Sequence, residues 1–375
     1  MRITIVLGPF LPVPPILGGA VEKAHLLLAG AYRAAGHNVT IVSRKYKNSP
    51  DEEYIDGIRH VRIASSDRSA SLAVNLVHDF FYALRVSSSL PSSDITITNS
   101  FFLPLLLRRH TAGKIYVHVA RFPKHQMWLY ARADRLQALS RAVADAIVRQ
   151  APTLARKVVT IGYPVPDRYF CPIPIRARGK IVLFVGRVAR EKGVHLLLKS
   201  FASLHAKFPN WKLRIVGPHD VSQGGDGDAY LNELNRLARP LGPACEFAGP
   251  IFDERELVKE YQDASIFAYP SLAEKGEAFG LAPLEAMAAG CAVIVSSLDC
   301  FVEYVVDGTN AIVFDKTENA LSRALAGLIA NPQLASKIAT NGNATAGDFR
   351  TGKIAAKLLD DFDQLVDVKL AHPSG

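Results

Sequence analysis

Short runs of β-branched and apolar residues alternate along the whole chain with longer segments in which apolar residues recur at helical spacing. In the first half this pattern predicts strands over residues 2–7, 38–42, 58–63, 95–99, 114–119 and 158–161, and a helix over 21–35 that stops at Gly36. In the second half it predicts strands over residues 180–185, 212–216, 245–248, 265–268 and 292–295, with helices over 194–206, 230–237 and 281–289. Such alternation is typical of parallel sheets covered by helices, so we predict an α/β protein.

A proline-rich stretch divides the two series of elements. Residues 162–180 contain four prolines, which interrupt helices and sheet ladders alike, and we interpret the stretch as a linker. Because 375 residues exceed what one hydrophobic core usually organises, we expect two domains, over residues 1–166 and 167–350. Residues 351–375 add a last helix, near 351–366, and a polar tail. Two doubly wound domains that face each other would form a cleft at the carboxyl ends of both sheets.

The composition is that of a folded globular protein, with 49% apolar and 21% charged residues. Nothing approaches the roughly 18 to 20 uninterrupted apolar residues of a membrane-spanning helix. The short apolar run after Met1 is interpreted as a buried strand rather than an export signal. The four cysteines are widely spaced and form no CxxC pair, which fits a reducing cytoplasm better than a disulfide framework or a zinc site.

Positive charge is concentrated in the first half of the chain. Residues 1–166 contain 21 Lys and Arg against 10 Asp and Glu, a formal charge of +11, whereas the rest of the chain carries −2. A basic domain of this kind suits anionic lipid headgroups, phosphorylated acceptors or nucleic acid. A solvated surface without a partner explains the same charges.

The strongest local signal follows the predicted strand 180–185. Gly186 and Arg187 come directly after it, and Lys192 follows five residues later, just before a helix. The planar fork of an arginine and the compact ammonium of a lysine would converge there on a diphosphate, with about 1.5 to 3 kcal/mol from each charge-assisted bond. A basic surface turn with solvated side chains is the alternative.

A second signal is the segment 277–290, which contains Glu277, Gly280 and Glu285. Gly280 permits close approach of the backbone, and the helix predicted after it would aim free N–H groups at a phosphate or a sugar hydroxyl. Glu285 falls about one turn inside an otherwise apolar helix, where a carboxylate needs partners. The paired hydroxyls of a ribose would satisfy it, and so would a structural salt bridge to Lys192 or Arg187.

These motifs occur in a specific order. After residue 180 they are Gly186-Arg187 with Lys192, Ile215-Val216-Gly217, Phe247-Ala248-Gly249, Tyr269-Pro270-Ser271, the segment 277–290, and Glu303 with Asp307-Gly308. Before it they are Gly18-Gly19, Gly36-His37-Asn38-Val39, a strand ending at His118, Ala133-Asp134 with Leu139-Ser140, and Tyr163-Pro164-Val165. In order and spacing the chain resembles glycosyltransferase family 4, whose GT-B fold consists of two Rossmann-like domains facing across a cleft.

The resemblance implies a retaining glycosyltransferase that moves a sugar from a nucleotide-diphosphate-sugar donor to a saccharide or lipid-linked acceptor in glycan biosynthesis. The second domain would bind the nucleotide sugar and the first the acceptor, with the final helix crossing back to the first domain. Arg187 and Lys192 would bind the diphosphate, Glu285 the ribose hydroxyls, and Glu277 the donor sugar. The other residues assigned to donor binding are Gly18, Gly19, Gly186, Ala278, Phe279, Gly280 and Leu281.

The same resemblance implies that no cofactor and no tightly bound metal is needed, since basic side chains take the place of a cation. Asp226-Gly227-Asp228 mimics the DxD metal motif of other transferases, but turn chemistry in a glycine-rich loop explains it adequately. His118 is predicted to lie over the donor sugar and orient a hydroxyl. A hydrogen-bonded histidine at a strand end explains it equally well.

Two features depart from the family pattern. The glycine pair that often precedes the glutamate equivalent to Glu303 is replaced by Asp299-Cys300-Phe301, which predicts a differently shaped loop. Glu274-Lys275-Gly276 adds charge just before Glu277, and this charge could alter the contact that Glu277 is predicted to make with the donor sugar.

The acceptor side is less specified. Arg108-Arg109-His110, residues 121–125 and the apolar segment 72–84 would form a basic and hydrophobic face for peripheral contact with an anionic membrane or a lipid-linked acceptor. An ordinary core helix with scattered surface arginines explains the same residues. No nucleic acid partner is expected.

Other functional classes fit less well. A GT-B-like nucleotide-sugar epimerase or phosphorylase would share the two-domain architecture. A dehydrogenase is disfavoured because Gly8-Pro9, rather than the glycine fingerprint for dinucleotides, follows the first strand. A sugar-binding protein without catalysis would not need Arg187 and Lys192 for a diphosphate.

Overall fold

The computed structural model of the chain describes residues 1–170, 174 and 177–367. The chain forms two compact units: Met1–Pro164 together with the helix that begins at Thr351, and Val165–Arg350. Each unit is a parallel or mostly parallel sheet with helices, so the predicted α/β class is confirmed. The predictions for the polar tail and for Cys171 and Pro172 in the linker lie outside the described residues.

In the described part of the first unit, eight strands form one sheet. They are β1 (Arg2–Val6), β2 (Asn38–Arg44), β3 (Glu52–Ile55), β4 (Ile58–Ile63), β5 (Ile95–Thr98), β6 (Lys114–Val119), β7 (Arg135–Ala138) and β8 (Val158–Thr160). Their order is β3-β4-β2-β1-β5-β6-β7-β8, and the pair β3 and β4 is antiparallel. The hydrophobic pattern missed β3 and β7, because β3 is a half-exposed edge strand and β7 alternates polar with apolar residues.

Helices cover this sheet. They are α1 (Ala20–Ala34), α2 (Leu72–Ser89), α3 (Leu103–Leu106), α4 (Arg109–Ala112) and α5 (Arg141–Gln150), with 3-10 turns at Met127–Arg132 and Pro152–Lys157. The predicted stop of the first helix is confirmed, since Gly36 has a left-handed φ of 88° just after it.

The second unit has a six-stranded parallel sheet within the residues described. Its strands are β9 (Gly179–Val185), β10 (Lys212–Val216), β11 (Cys245–Gly249), β12 (Ala264–Tyr269), β13 (Ala292–Ser296) and β14 (Ile312–Phe314). Its helices are α6 (Val194–His205), α7 (Gly227–Ala238), α8 (Glu254–Asp263), α9 (Leu281–Ala288), α10 (Glu318–Ala330) and α11 (Pro332–Ala346). The order β11-β10-β9-β12-β13-β14 is that of a doubly wound Rossmann-like sheet.

A final helix, α12 (Thr351–Asp367), packs in the first unit. Phe362 is fully buried there, and its ring centroid lies 5.7 Å from that of Tyr32 and 5.0 Å from that of Tyr116. Arg135 of β7 forms an ion pair with Asp361 at 2.6 Å. In the ranges that the structure describes, no helix combines the length and apolarity needed to cross a bilayer.

Candidate active site

The sheet of the second unit has a switch point between β9 and β12. The chain runs from β9 outward through β10 to β11 on one side, and from β12 through β13 to β14 on the other. Loops leaving the carboxyl ends of two such strands diverge, and the crevice between them is where parallel sheets bind ligands. Every donor residue predicted in this unit follows either β9 or β12.

Arg187 lies in the loop after β9 and is held by two neighbours. Its Nη1 donates to the carbonyl oxygen of Gly224 at 2.6 Å, and its Nη2 donates to Glu191 Oε1 at 2.7 Å. The side chains of Arg187 and Glu191 remain 42% and 44% exposed. Because an exposed pair contributes only about 0.2 to 1 kcal/mol, an anionic ligand can replace the carboxylate at low cost.

Lys192, in contrast, is buried beside a carboxylate. Its Nζ donates to Glu277 Oε2 at 2.6 Å, with the two side chains 6% and 12% exposed. The hydroxyl of Tyr269, at the end of β12, donates to the same oxygen at 3.0 Å. Burial and the charge of Glu277 hold the pKa of Tyr269 well above its ordinary value, so this hydroxyl stays a donor at neutral pH. The ion pair therefore ties the loop after β9 to the loop after β12.

Gly280 forms a turn that a side chain would strain. Its φ of 77° is left-handed, and a Cβ atom there would lie 2.3 Å from the ring of Phe301. Tyr304 fixes the turn by donating its hydroxyl to the carbonyl oxygen of Gly280 at 2.6 Å. The helix α9 begins at the next residue, and among the described residues no side chain caps it. Its first turn thus presents amide donors and a positive dipole end to an anion or a sugar hydroxyl.

The remaining predicted residues of this unit lie in the same two loops. They are Gly186 after β9, and Ala278, Phe279 and Leu281 around the Gly280 turn. Phe279 is buried and packs against Tyr304, with ring centroids 5.5 Å apart. The structure therefore brings both predicted cations, Glu277 and the start of α9 to the carboxyl edge of one sheet.

Glu285 lies inside the second unit, on α9. It is 5% exposed, and the hydroxyl of Tyr261 donates to its Oε2 at 3.2 Å. The sequence left open a salt bridge between Glu285 and either Lys192 or Arg187. In the described structure, however, these two cations pair with Glu277 and Glu191.

Gly18 and Gly19 belong to the first unit and precede α1. Both have positive φ values, 76° and 112°. A Cβ atom on Gly19 would lie 2.2 Å from Glu22 Oε2, so the close approach of this carboxylate requires glycine. Glu22 is itself buried, and burial raises its pKa.

His118 also belongs to the first unit and lies on β6. Its Nδ1 lies 3.0 Å from Gln137 Oε1, and its Nε2 lies 3.3 Å from the hydroxyl oxygen of Tyr163. Burial lowers the pKa of His118 to about 4, so the ring is neutral at physiological pH. This geometry is that of a hydrogen-bonded histidine in a strand, while its contact with a sugar stays a prediction.

Sequence reasoning missed the partners that hold these residues. Glu191 stands four residues after Arg187 in the same loop, and this short separation of opposite charges was a signal that could have found the pair. The other partners are Tyr261, Tyr269 and Tyr304, which lie 24, 8 and 24 residues from the groups they contact. No spacing in the sequence predicts which carboxylate or carbonyl each tyrosine contacts.

The acidic motif at residues 226–228 is engaged by protein groups. Asp226 accepts a hydrogen bond from the backbone N–H of Arg190 at 2.6 Å, and Asp228 Oδ1 lies 3.3 Å from His219 Nε2. Nowhere in the described chain do three or more His, Cys, Asp or Glu side chains form a group that would hold a metal ion.

The two departures from the family pattern also have structural counterparts. Glu274, which adds charge before Glu277, forms an ion pair with Lys316 at 2.6 Å. The Asp299–Phe301 segment forms a 3-10 turn that places the Phe301 ring against Gly280. The extra charge is therefore compensated, and the changed loop supports the turn before α9.

Known proteins are similar to this chain in sequence. Residues 168–345 match the family model of the glycosyl transferases group 1. A phosphatidyl-myo-inositol mannosyltransferase of Mycobacterium tuberculosis is 26% identical over 96% of both chains. D-inositol 3-phosphate glycosyltransferase 2 of Catenulispora acidiphila is 28% identical over 71% of this chain and 66% of its own length.

Solved structures share the fold. Sucrose-phosphate synthase from Thermosynechococcus elongatus has a TM-score of 0.81 at 22% identity, covering 98% of this chain and 100% of its own. HepE of Anabaena, solved with UDP and glucose, has a TM-score of 0.75 at 18% identity, covering 97% and 99%. The predicted GT-B fold is thus confirmed, and a glycosyltransferase is favoured over an epimerase or phosphorylase. The resemblance to glycosyltransferase family 4 is thus supported, since residues 168–345 match the group 1 glycosyl transferases and the relatives along the chain are glycosyltransferases.

Proposed function

We propose that the chain transfers a sugar from a nucleotide-diphosphate donor, bound at the carboxyl edge of the second unit, to a saccharide or lipid-linked acceptor. The observation that carries the proposal is the convergence of Arg187, the Lys192–Glu277 ion pair and the start of α9 on the loops after β9 and β12. The switch point of a doubly wound sheet is a nucleotide site in many folds. HepE, which shares the fold, has been solved with UDP and with UDP-glucose, and this supports the same donor class.

The diphosphate is the ligand that fits the two cations. A phosphate oxygen competes with Glu191 for the exposed fork of Arg187, whose geometry suits bidentate contacts. Lys192 keeps Glu277 as a partner and adds a fixed positive charge beside the site. As the glycosidic bond breaks, both cations and the dipole of α9 stabilise the negative charge that develops on the leaving diphosphate.

Glu277 and Glu285 are proposed to contact hydroxyl groups of the donor. Glu277 and the 278–281 turn face the sugar, and Glu285 accepts from the ribose hydroxyls. Glu285 already accepts a hydrogen bond from the hydroxyl of Tyr261, and a ribose hydroxyl is proposed to donate to the same carboxylate in the same way. For Gly18, Gly19 and His118 the assigned roles stay predictions.

We also propose that the reaction retains the anomeric configuration and needs no metal. Arg187 and Lys192 supply the positive charge that a cation would otherwise bring to the diphosphate. The anomeric proton signal of the product, compared with that of the donor, tests retention. Transfer that proceeds at the same rate with EDTA supports the absence of a metal requirement, and a strict need for Mg²⁺ or Mn²⁺ contradicts it.

The helix α2 presents an apolar stripe to solvent. Its six exposed large apolar side chains, each at least 38% exposed, are Leu72, Val74, Val77, Phe80, Phe81 and Leu84. The opposite side of α2 buries Tyr82, Ala83 and Val86. An ordinary core helix does not leave such a face uncovered, whereas a helix lying in a membrane interface does.

Two arginines are connected to α2 through α3. The stripe's helix is joined to α3 by a hydrogen bond from Ser87 to the carbonyl oxygen of Leu106. The guanidinium of Arg132 donates to the carbonyl oxygen of Leu105 in α3 at 3.3 Å. The guanidinium of Arg109 donates to the carbonyl oxygen of Arg132 at 3.0 Å. With the formal charge of +11 on residues 1–166, these arginines favour an anionic bilayer as the partner. We propose peripheral contact with such a surface on the cytoplasmic side, where the thiols of Cys245, Cys291 and Cys300 would stay reduced.

Sedimentation with vesicles tests the membrane contact. Vesicles of phosphatidylcholine with phosphatidylglycerol should retain the protein at low salt, and pure phosphatidylcholine much less. The double variant Val77→Gln, Phe81→Gln should bind at least tenfold more weakly, since burying each apolar side chain contributes about 1.5 to 3 kcal/mol. The matched control changes Val302 and Val306, exposed valines of the second unit, to Gln and should bind like wild type. Equal binding by both double variants would refute the stripe as the contact.

Ligand-induced stabilisation tests the donor. UDP, GDP, ADP and their sugar conjugates are screened by thermal shift, since a ligand at 100 times its Kd adds about 2.7 kcal/mol. One nucleotide diphosphate should stabilise the chain, and its sugar conjugate should release that diphosphate faster when an acceptor is supplied. No stabilisation by any of them at millimolar concentration would remove the proposed donor site.

A further inference from the structure

His118 and Gln137 face each other on neighbouring parallel strands. They are paired in the register of β6 and β7, with His118 Nδ1 3.0 Å from Gln137 Oε1. The amide is fixed from its other side, because Gln137 Nε2 donates to the carbonyl oxygen of Ile161 at 2.8 Å. A carbonyl oxygen only accepts, so the amide must turn its NH₂ group to Ile161 and its oxygen to His118. It follows that Nδ1 of His118 carries a proton.

The other ring nitrogen faces a hydroxyl group. His118 Nε2 lies 3.3 Å from the hydroxyl oxygen of Tyr163. Burial lowers the pKa of His118 to about 4 and raises the pKa of Tyr163 above its ordinary value. At neutral pH the imidazole therefore holds one proton, on Nδ1, and Nε2 accepts a hydrogen bond from the phenol.

A second buried histidine supports this arrangement. The ring of His25 meets that of His118 edge-on, with centroids 4.7 Å apart. Burial lowers the pKa of His25 well below its ordinary value, and His118 adds to the effect. The charged groups that act on the neighbouring Tyr163 are Glu22 and Arg121, of opposite sign. The ring of His118 thus has a neutral neighbour on one side and hydrogen-bonding partners at both nitrogens.

We propose that Gln137 and Tyr163 are positioning residues that hold His118 as the Nδ1–H tautomer, which makes Nε2 solely a hydrogen-bond acceptor. A substrate hydroxyl that displaces the hydroxyl of Tyr163 then donates to Nε2. In this role His118 orients a hydroxyl and supplies neither a proton nor a positive charge. This role rests on the proposed transferase function, whereas the tautomer does not depend on it.

Long-range ¹⁵N–¹H correlation spectra of the full chain, labelled at histidine, observe the tautomer directly. The His118→Phe variant identifies the signals of His118 among those of the 11 histidines. At pH 7 we expect Nε2 to resonate as an unprotonated nitrogen and Nδ1 as a protonated one. A protonated Nε2, alone or in an imidazolium, would overturn the proposal.

Two substitutions separate the contributions of the positioning residues. Gln137→Met removes the acceptor of the Nδ1 proton, so the ring should shift toward the Nε2–H form. Tyr163→Phe should keep Nδ1 protonated and move the Nε2 resonance toward that of a free imidazole. An unchanged His118 spectrum in either variant would refute the role of that residue.

The matched control is Gln150→Met. Gln150 belongs to the same unit and also donates its side-chain amide to a backbone carbonyl, that of Pro123 at 3.0 Å. Its removal should leave the His118 signals in place. A shift as large as that of Gln137→Met would mean that any lost glutamine in this unit perturbs the ring.

Enzyme kinetics test the role of His118 in orienting a substrate hydroxyl. The donor is the one identified by thermal shift. Gln137→Met should lower kcat about three- to tenfold with little change in KM, the effect of one neutral hydrogen bond of about 0.5 to 1.5 kcal/mol. Unchanged kcat in a variant with an altered tautomer would refute the role of His118. If wild type transfers no sugar, the transferase proposal fails while the spectrum still decides the tautomer.

Discussion

The Nζ atom of Lys192 and the Oε2 atom of Glu277 lie 2.6 Å apart, although one residue follows β9 and the other follows β12. Tyr269 and Ser271 donate to the same carboxylate oxygen, so donors from the ends of both strands meet at one atom. A buried ion pair of this kind is weak evidence for a stabilising role, because desolvation offsets much of the attraction. Because the pair lies at the switch point of the sheet, we instead assign it to the proposed donor site, where it holds the ammonium of Lys192 in place.

Lys192→Met should destabilise the fold by roughly 3 to 5 kcal/mol, since it leaves the carboxylate of Glu277 buried without its cation. Adding Glu277→Gln should restore more than half of the loss, because the remaining amide is neutral. Urea unfolding measures both variants. If the double variant is as unstable as Lys192→Met alone, the pairing does not explain the effect.

Arg187→Ala should weaken binding of the nucleotide diphosphate about tenfold or more, since one charge-assisted contact is worth about 1.5 to 3 kcal/mol. Its stability should change by no more than about 2 kcal/mol, because the pair with Glu191 is exposed and the variant loses one further hydrogen bond, to Gly224. Calorimetric titration and urea unfolding report the two quantities. Arg236→Ala, at an exposed arginine of α7, is the control and should bind like wild type. Equal affinity of the two variants would exclude Arg187 from the site.

Gly280→Ala should cost more stability than Gly308→Ala, although both glycines have similar left-handed φ values, 77° and 67°. A left-handed φ costs an alanine about 1 to 2 kcal/mol at either position. At Gly280 the new Cβ also meets the Phe301 ring at 2.3 Å, whereas at Gly308 it meets nothing within 4 Å. The overpacking should add about 1 to 3 kcal/mol, measured as the difference between the two variants in urea. Equal losses would show that the contact with Phe301 relaxes freely.

Phe362→Ala should destabilise the protein by about 3 to 5 kcal/mol, because it removes a fully buried ring between Tyr32 and Tyr116. Thermal or urea unfolding measures the loss. Lys357→Ala, at an exposed position of the same helix, should change stability by no more than about 0.5 kcal/mol. A small effect of Phe362→Ala would mean that α12 contributes little to the first unit.

Acidification should weaken the fold through His118. The folded ring takes up a proton only near pH 4, whereas an unfolded histidine does so near 6.5. Between these values the unfolded state binds more protons, so the free energy of unfolding rises with pH and falls on acidification. His118 alone should contribute a loss of about 2 kcal/mol between pH 7.5 and pH 5.

Unfolding in urea at these two pH values measures that loss, with His118→Gln as the comparison. The loss in the free energy of unfolding between pH 7.5 and pH 5 should be smaller in His118→Gln than in wild type by about 2 kcal/mol. His110→Gln, at an exposed histidine, should keep the wild-type dependence. The buried groups Glu22 and Asp79, whose pKa values are raised, act in the opposite sense and are unchanged in both variants. An unaltered pH dependence in His118→Gln would contradict a neutral buried ring.

Local patterns along the chain were enough to predict most of the elements and the loops that carry the candidate site. The runs of β4, β6 and β10, which contain β-branched and apolar residues, predicted these strands with their observed bounds, because the pattern of a strand is encoded by consecutive residues. The glycine before α9 and the two cations after β9 could also be predicted, because a left-handed turn requires glycine and a charged loop is visible in the local sequence. The short strand β14 and the helices α10 and α11 were not predicted, although they complete the same sheet and its cover.

Which side chains meet could not be predicted from these local patterns and is seen in the folded chain. Lys192 pairs with Glu277 rather than with Glu285, Tyr261 reaches Glu285, and His118 is enclosed by Gln137 and Tyr163. The sequence also left α2 equally open as a core helix or a surface face, and its six large apolar side chains are exposed. Periodicity along a chain specifies which face of an element is apolar, but the partner of that face, or of a buried charge, is fixed by packing between residues far apart in sequence.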